Sequence, residues 1–151
     1  MQREAPVRRL ALLIEYEGTA YGGSQYQRNA PTIQDSLERA LSSLTGEPIR
    51  MALAGRTDAG VHASGQVASF ATASRHTVDV IVRAVNAHLP ADIAVRAAAE
   101  VPAGFDPRRH AVSRWYRYTM HLGKARPALL RRFVWHLAAP PDVDMMAEAA
   151  R

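Results

Sequence analysis

Within Ala54-Gly55-Arg56-Thr57-Asp58-Ala59-Gly60-Val61-His62, one acid lies between two glycines, with an arginine two residues before it and a histidine four after. Those residue types permit four chemistries. Asp-Ala-Gly is a common turn, in which a short acid bonds its own backbone. Asp58 and His62 are both metal-ligand types, but no third carboxylate or histidine lies close by in sequence, and a hydrogen bond is the commoner use of such a histidine. Gly55 and Gly60 permit close backbone approach to a phosphate; the spacing matches neither a P-loop nor a dinucleotide fingerprint, and an acid aimed at the ligand would repel it. Last, an ionised Asp58 with a cationic neighbour such as Arg56 is equipped for covalent catalysis, provided that a turn holds it out of the sheet. An isolated Asp-Ala-Gly is most often only a turn, so these residues alone favour the turn reading.

A second stretch carries recognition chemistry. Eighteen of the 19 basic residues are Arg, and no acid occurs between Asp106 and Asp142. That interval holds Arg108, Arg109, Arg114, Arg117, Lys124, Arg126, Arg131 and Arg132. A one-sign stretch of this length is an electrostatic footprint for nucleic acid, and the planar guanidinium suits phosphates and base faces. In its middle, Ser113-Arg114-Trp115-Tyr116-Arg117-Tyr118-Thr119-Met120-His121 is strongly β-prone. Alternation sets Tyr116, Tyr118 and Met120 on one face and turns Trp115 toward the core. The loop Tyr21-Gly22-Gly23-Ser24-Gln25-Tyr26-Gln27-Arg28-Asn29 offers amides and aromatic rings. The remaining histidines, His76, His88, His110, His121 and His136, form no constellation.

Bulk properties set the limits. A chain of 151 residues, 48% hydrophobic and 22% charged with net charge +5, fits one globular domain with a real core. It has no cysteine, which excludes disulfides and thiolate metal sites. No apolar run approaches the roughly 18 residues of a membrane span, and the N-terminus lacks a signal-peptide core. These features fit the cytoplasm.

The elements that must position the chemistry follow from periodicity. Leu10, Leu12, Ile14 and Tyr16 alternate as a strand. Thr32 with Asp35 opens a helix carrying Ile33, Leu37, Ala40, Leu41 and Leu44, and Gly46 stops it. Ile49 to Ala54 and Gln66 to Ala71 form two antiparallel strands joined by the Asp58 loop. Thr77 caps a helix with Val78, Ile81, Val82, Val85 and Leu89, which stops at Pro90. Ile93, Val95 and Ala97 begin a fourth strand, and Phe133 to Leu137 a further short one. The order strand, helix, strand, strand, helix, strand predicts an α+β, ferredoxin-like split β-α-β fold with an antiparallel sheet and helices on one face. RRM-type RNA binders share the pattern and place aromatic residues on the open face. From Pro140 a last helix begins, and the chain ends about two turns later, so we expect it to be part of a longer protein.

Ala54 to His62, followed by Gly65-Gln66-Val67, resembles the signature of the tRNA pseudouridine synthase A family. Glu15-Tyr16-Glu17-Gly18-Thr19, Gln25-Tyr26-Gln27, Asn29 to Gln34, Asn86 to Val95, Phe105-Asp106-Pro107-Arg108, Arg114-Trp115-Tyr116-Arg117-Tyr118 and Arg126-Pro127-Ala128 are similar to further blocks of that family, in order along nearly the whole chain. Ser24 departs from it, standing where an aromatic is usual. The resemblance implies isomerisation of uridine to pseudouridine at positions 38, 39 and 40 of the tRNA anticodon stem-loop, without cofactor or metal. It implies Asp58 as nucleophile, Arg56 supporting the extruded base, and Tyr116 stacking on the target and assisting proton removal from C5. Gln25, Gln27, His62, Arg114 and Arg117 join Tyr116 as the expected substrate-binding set. Family chains continue into a second half that completes the cleft and act as homodimers. Residues 1–151 are therefore expected to be the N-terminal catalytic domain, with the C-terminal half absent, and by themselves weakly active or inactive. Two other classes remain: a non-catalytic RNA-binding module on an RRM-like sheet, and a metal-dependent hydrolase using Asp58 and His62.

Overall fold

The alternation at the start of the chain is realised as strand β1, Arg8–Tyr16. Leu10, Leu12, Ile14 and Tyr16 are buried there, while Leu13 faces the other way and is partly exposed. The computed structural model describes residues 6–151. Strands β2 (Met51–Leu53), β3 (Ala63–Thr72) and β4 (Ile93–Val101) join β1 in one sheet of order β2-β3-β1-β4. Every pairing in it is antiparallel: Leu10 lies opposite Phe70 and Glu100, and Met51 opposite Phe70. The β1–β4 register shifts between Leu13 and Ile14, which keeps Ile93 and Val95 on the same side as Ile14 and Tyr16.

Two helices cover that side. Helix α1, Ile33–Thr45, begins where Thr32 accepts the Asp35 N–H on its hydroxyl at 3.2 Å, and Gly46 follows its last turn. Helix α2, Val78–His88, is capped in the same way by Thr77. Ile33, Leu37, Ala40 and Leu41 of α1, with Ile81 and Val85 of α2, share one buried cluster with the core side of the strands. A fully buried leucine or isoleucine contributes about 1.5–3 kcal/mol by leaving water. This is an α+β fold with an antiparallel sheet and helices on one face, in the element order that periodicity predicts.

Two carboxylates, Glu38 buried and Glu47 half-buried, tie α1 to the strands that carry the Asp58 loop. Glu38, on the inner side of α1, accepts from the Met51 N–H at 2.9 Å, the Gln34 amide at 2.8 Å and the Arg50 guanidinium at 2.6 Å. It thereby fixes where β2 begins. Glu47, just after α1, accepts from the Thr72 hydroxyl and from the N–H groups of Ala73 and Ser74 at the end of β3. The Thr72 hydroxyl first, then those amides, hold its carboxyl below the usual glutamate range.

The chain divides into two compact units, Met1–Arg114 and Trp115–Arg151. The second contains β5 (Met120–Leu122) and β6 (Trp135–Leu137), paired in parallel, and α3 (Val143–Ala149), capped by Asp142. Here the sequence expectation needs correction. Only Met120–Leu122 of the β-prone run joins a strand, so the alternation that would bury Trp115 never operates. Trp115 is 93% exposed, beside Tyr116 at 69% and Tyr118 at 85%.

Candidate active site

The connection from β2 to β3 turns at Asp58. Its carbonyl accepts the Val61 N–H at 3.2 Å, and Gly60 sits at φ +78°, a conformation open to glycine at little cost. Gly60 is also anchored sideways, its N–H donating to the Tyr21 carbonyl at 3.3 Å. The tight turn read from the sequence is present, and what surrounds it separates this loop from an ordinary hairpin.

Each residue leading to Asp58, except Arg56, has its backbone held by another segment. Ala54 donates to the Val67 carbonyl at 2.8 Å and accepts from Arg114, whose Nε and one terminal nitrogen reach its carbonyl at 3.0 and 2.9 Å. Gly55 is embraced by the Gln66 carboxamide: its N–H donates to Oε1 at 3.3 Å, and Nε2 donates to its carbonyl at 2.7 Å. Thr57 is held the same way by Ser24, N–H to Oγ at 2.8 Å and carbonyl from the Ser24 N–H at 2.9 Å. The Thr57 hydroxyl shares a 2.8 Å hydrogen bond with the Tyr16 hydroxyl. On the far side, His62 Nδ1 accepts the Gly18 N–H at 2.9 Å.

Against this held backbone, the two charged side chains at the tip are exposed. Among the described residues, neither the Asp58 carboxylate nor the Arg56 guanidinium has an ion-pair or side-chain hydrogen-bond partner. A carboxylate on a fixed turn, open to solvent and two residues from an unengaged arginine, can approach a large substrate without first breaking a bond of its own.

The other expected site residues fall into distinct places. Gln25 and Gln27 are exposed on the loop whose Ser24 grips Thr57; the Gln27 amide donates to the Gly22 carbonyl at 2.7 Å. Arg114 is engaged on Ala54 and, at 2.8 Å, on the Arg108 carbonyl. Tyr116 and Arg117 are exposed members of the second unit. Sequence reasoning missed Ser24 and Gln66 as builders of the loop. Gln66 had a signal, a lone amide in a strand position that proves to be 9% exposed; Ser24 had none, since only the fold brings it to Thr57.

Two alternative chemistries can be compared with the geometry. The open face of the sheet carries Ala11, Leu13, Val67, Ser69, Ala97 and Ala99 around the centre of β1. The aromatic residues of these strands, Tyr16 and Phe70, are buried on the helix side. The sheet thus offers no stacking platform of the RRM kind. Among the described residues, no three His, Cys, Asp or Glu side chains gather as a metal site would require. No helix among the described residues is long and apolar enough to cross a membrane.

Comparison with known proteins converges on one family. A family model described as tRNA pseudouridine synthase matches residues 12–108. A tRNA pseudouridine synthase A from Roseiflexus castenholzii is 49% identical over 143 residues, covering 95% of this chain and 53% of the relative. The protein of the same name from Geobacter sulfurreducens is 46% identical, over 96% of this chain and 59% of the relative. That from Cronobacter sakazakii is 46% identical, over 98% and 55%. The chain spans a little over half the length of the curated relatives it matches.

Proposed function

We propose, on the premise that this chain belongs to the tRNA pseudouridine synthase family, that it carries the reacting aspartate of an enzyme that isomerises uridine to pseudouridine in tRNA. The observation that carries the reading is the Asp58 loop, whose backbone is pinned on both sides while its carboxylate is exposed and, among the described residues, without a partner. Nucleophilic catalysis needs a carboxylate held in place and open to attack. Asp58 attacks the target nucleotide, the C1′–N1 bond breaks, the uracil turns, C5 bonds to C1′, and the bond to Asp58 breaks to return the free carboxylate. The C5 proton leaves and N1 gains one, so the isomerisation is balanced without a co-reactant. Both attack on the ring and attack on the sugar are compatible with this loop.

The target base must leave its stack first, at a cost of a few kcal/mol. Arg56, exposed beside Asp58, is suited to support the extruded base. Tyr116, exposed in the second unit with Arg117 one residue away, is suited to stack on it and to assist removal of the C5 proton. The finer assignments belong to the same proposal: the anticodon stem-loop at positions 38, 39 and 40 as target, a homodimeric intact enzyme, and a cytoplasmic setting. Phosphate contacts from the exposed arginines would make binding weaken steeply with added salt.

The test maps pseudouridine in tRNA treated with the intact protein and with Asp58→Asn, which preserves shape and removes the charge. Conversion by the parent and none by the variant is expected. Equal modification by both would refute the nucleophile assignment.

A further inference from the structure

The residue before Asp58 is held more completely than any other in the loop, and the following inference rests on Asp58 being the reacting group. Ser24 is fully buried, at 0% exposure. Its Oγ accepts the Thr57 N–H at 2.8 Å, while its own N–H donates to the Thr57 carbonyl at 2.9 Å. The Ser24 carbonyl in turn accepts the Gln34 N–H at 2.9 Å, in the first turn of α1. Tyr16, 3% exposed at the end of β1, meets the Thr57 hydroxyl at 2.8 Å. Two short routes therefore run from rigid elements to Thr57, one from α1 through Ser24 and one from β1 through Tyr16. The next residue is Asp58.

The contact is also close enough to restrict its neighbours. Gly23 adopts φ +115°, and a Cβ there would lie 2.8 Å from the Thr57 carbonyl oxygen. The chain brings the two backbones together where a side chain would keep them apart. An aromatic side chain at position 24 could not donate or accept in the way the Ser24 hydroxyl does. Because the Asp58 carboxylate has no partner of its own among the described residues, its direction is set by the backbone it leaves.

We propose that Ser24 and Tyr16 are positioning residues for Asp58: their hydroxyls fix the Thr57 backbone and side chain and so aim the carboxylate. Misplacement of a reacting group by about 1 Å costs on the order of 100-fold in rate. Ser24→Ala and Tyr16→Phe each remove one oxygen and are expected to lower kcat for pseudouridine formation by roughly 10- to 100-fold. KM for tRNA stays within about twofold, since neither hydroxyl is placed to touch RNA. Acting through the same residue, the two substitutions combine to less than the product of their separate effects.

The experiment measures kcat and KM for the intact protein, both single variants, the double variant and Asp58→Asn. It adds amide hydrogen exchange at residues 57–61 of the same proteins. Lower kcat at constant KM, with faster exchange confined to those residues, supports the proposal. Wild-type kcat or unchanged loop exchange in both single variants, with Asp58→Asn inactive, overturns it and leaves the nucleophile reading standing. A rise in KM matching the fall in kcat/KM makes the two residues binding determinants instead and also overturns it. Activity retained by Asp58→Asn removes the reading itself, and the proposal with it.

Discussion

Replacing Gln66 by leucine keeps its bulk and removes the amide that mirrors the Gly55 peptide. Three hydrogen bonds disappear: Gly55 N–H to Oε1 at 3.3 Å, Nε2 to the Gly55 carbonyl at 2.7 Å, and Val67 N–H to Oε1 at 3.2 Å. Only the second is short. A typical bond contributes about 0.5–1.5 kcal/mol net, and a stranded buried group costs about 1–3 kcal/mol. Gly55 is half-buried, so water recovers part of that loss. The sum is about 2 kcal/mol, expected as a fall of about 1 M in the urea midpoint for a slope of 1–3 kcal/mol per M. Gln66→Glu sharpens the test. A carboxylate can still accept from the Gly55 N–H, but it has no proton to give the Gly55 carbonyl and faces that oxygen with a charge. The neutral acid can donate. The introduced carboxyl should therefore titrate above its unfolded value of about 4.3. The folded state then binds the proton more tightly than the unfolded one, so the destabilisation is largest at neutral pH and shrinks as pH falls through the raised value. Urea titrations at pH 7 and pH 5 measure both effects. A midpoint for Gln66→Leu within about 0.2 M of the parent, or a Gln66→Glu deficit equal at the two pH values, would refute the reciprocal clamp.

Ser69 is 1% exposed on the open face of the sheet, and its hydroxyl has no partner among the described residues. Ser69→Ala should leave stability unchanged or raise it by up to about 1 kcal/mol, measured by urea unfolding, because no bond is lost and a desolvated hydroxyl is removed; a clear loss would reveal a partner. Glu47, held below the usual glutamate value of about 4.3 by the Thr72 hydroxyl and the Ala73 and Ser74 amides, adds stability that is present above that value and fades as pH falls through the lowered one. The stability gap between the parent and Glu47→Gln should accordingly be widest near pH 7 and narrow on acidification below about pH 4; a gap independent of pH contradicts the assignment. Gly23→Ala places a methyl 2.8 Å from the Thr57 oxygen at a positive φ, and should cost about 1–3 kcal/mol in thermal unfolding; a neutral substitution would mean that the loop yields easily.

The framework was legible where one residue type has one dominant use. Thr32 and Thr77 are N-caps at the positions their spacing predicts, and Gly60 supplies the turn after Asp58. The alternation in Leu10 to Tyr16 gave the right buried face because β1 is central and packed on one side by helices. The same reasoning failed at Trp115. Period-two alternation has meaning only when a partner strand fixes which face is covered, and residues 113–119 join no strand. Propensity in that run described the side chains correctly and their surroundings wrongly. The clamps at Ser24 and Gln66 were illegible for a related reason. Each is a contact between segments distant in sequence, and nothing local at position 24 indicates Thr57 as its partner.

Arginine shows most clearly why composition could not assign the site. Arg114 and Arg56 are both exposed and both lie at the Asp58 loop. Arg114 commits its fork to backbone, two nitrogens converging on the Ala54 carbonyl and one of them also reaching that of Arg108. Its geometry holds the loop, and a lysine, with one nitrogen, could not repeat it. Carbonyl partners do not neutralise the charge, so Arg114 still adds positive potential beside the loop while its position is fixed. Arg56 has no hydrogen-bond or ion-pair partner among the described residues. A polyanion approaching Asp58 would therefore meet one cation already in place and one not engaged. On the proposed reading, this division would let the carboxylate stay exposed without repelling tRNA. It follows that removing Arg114 should loosen the loop as well as weaken attraction, whereas removing Arg56 should leave the backbone of residues 54–62 as it is.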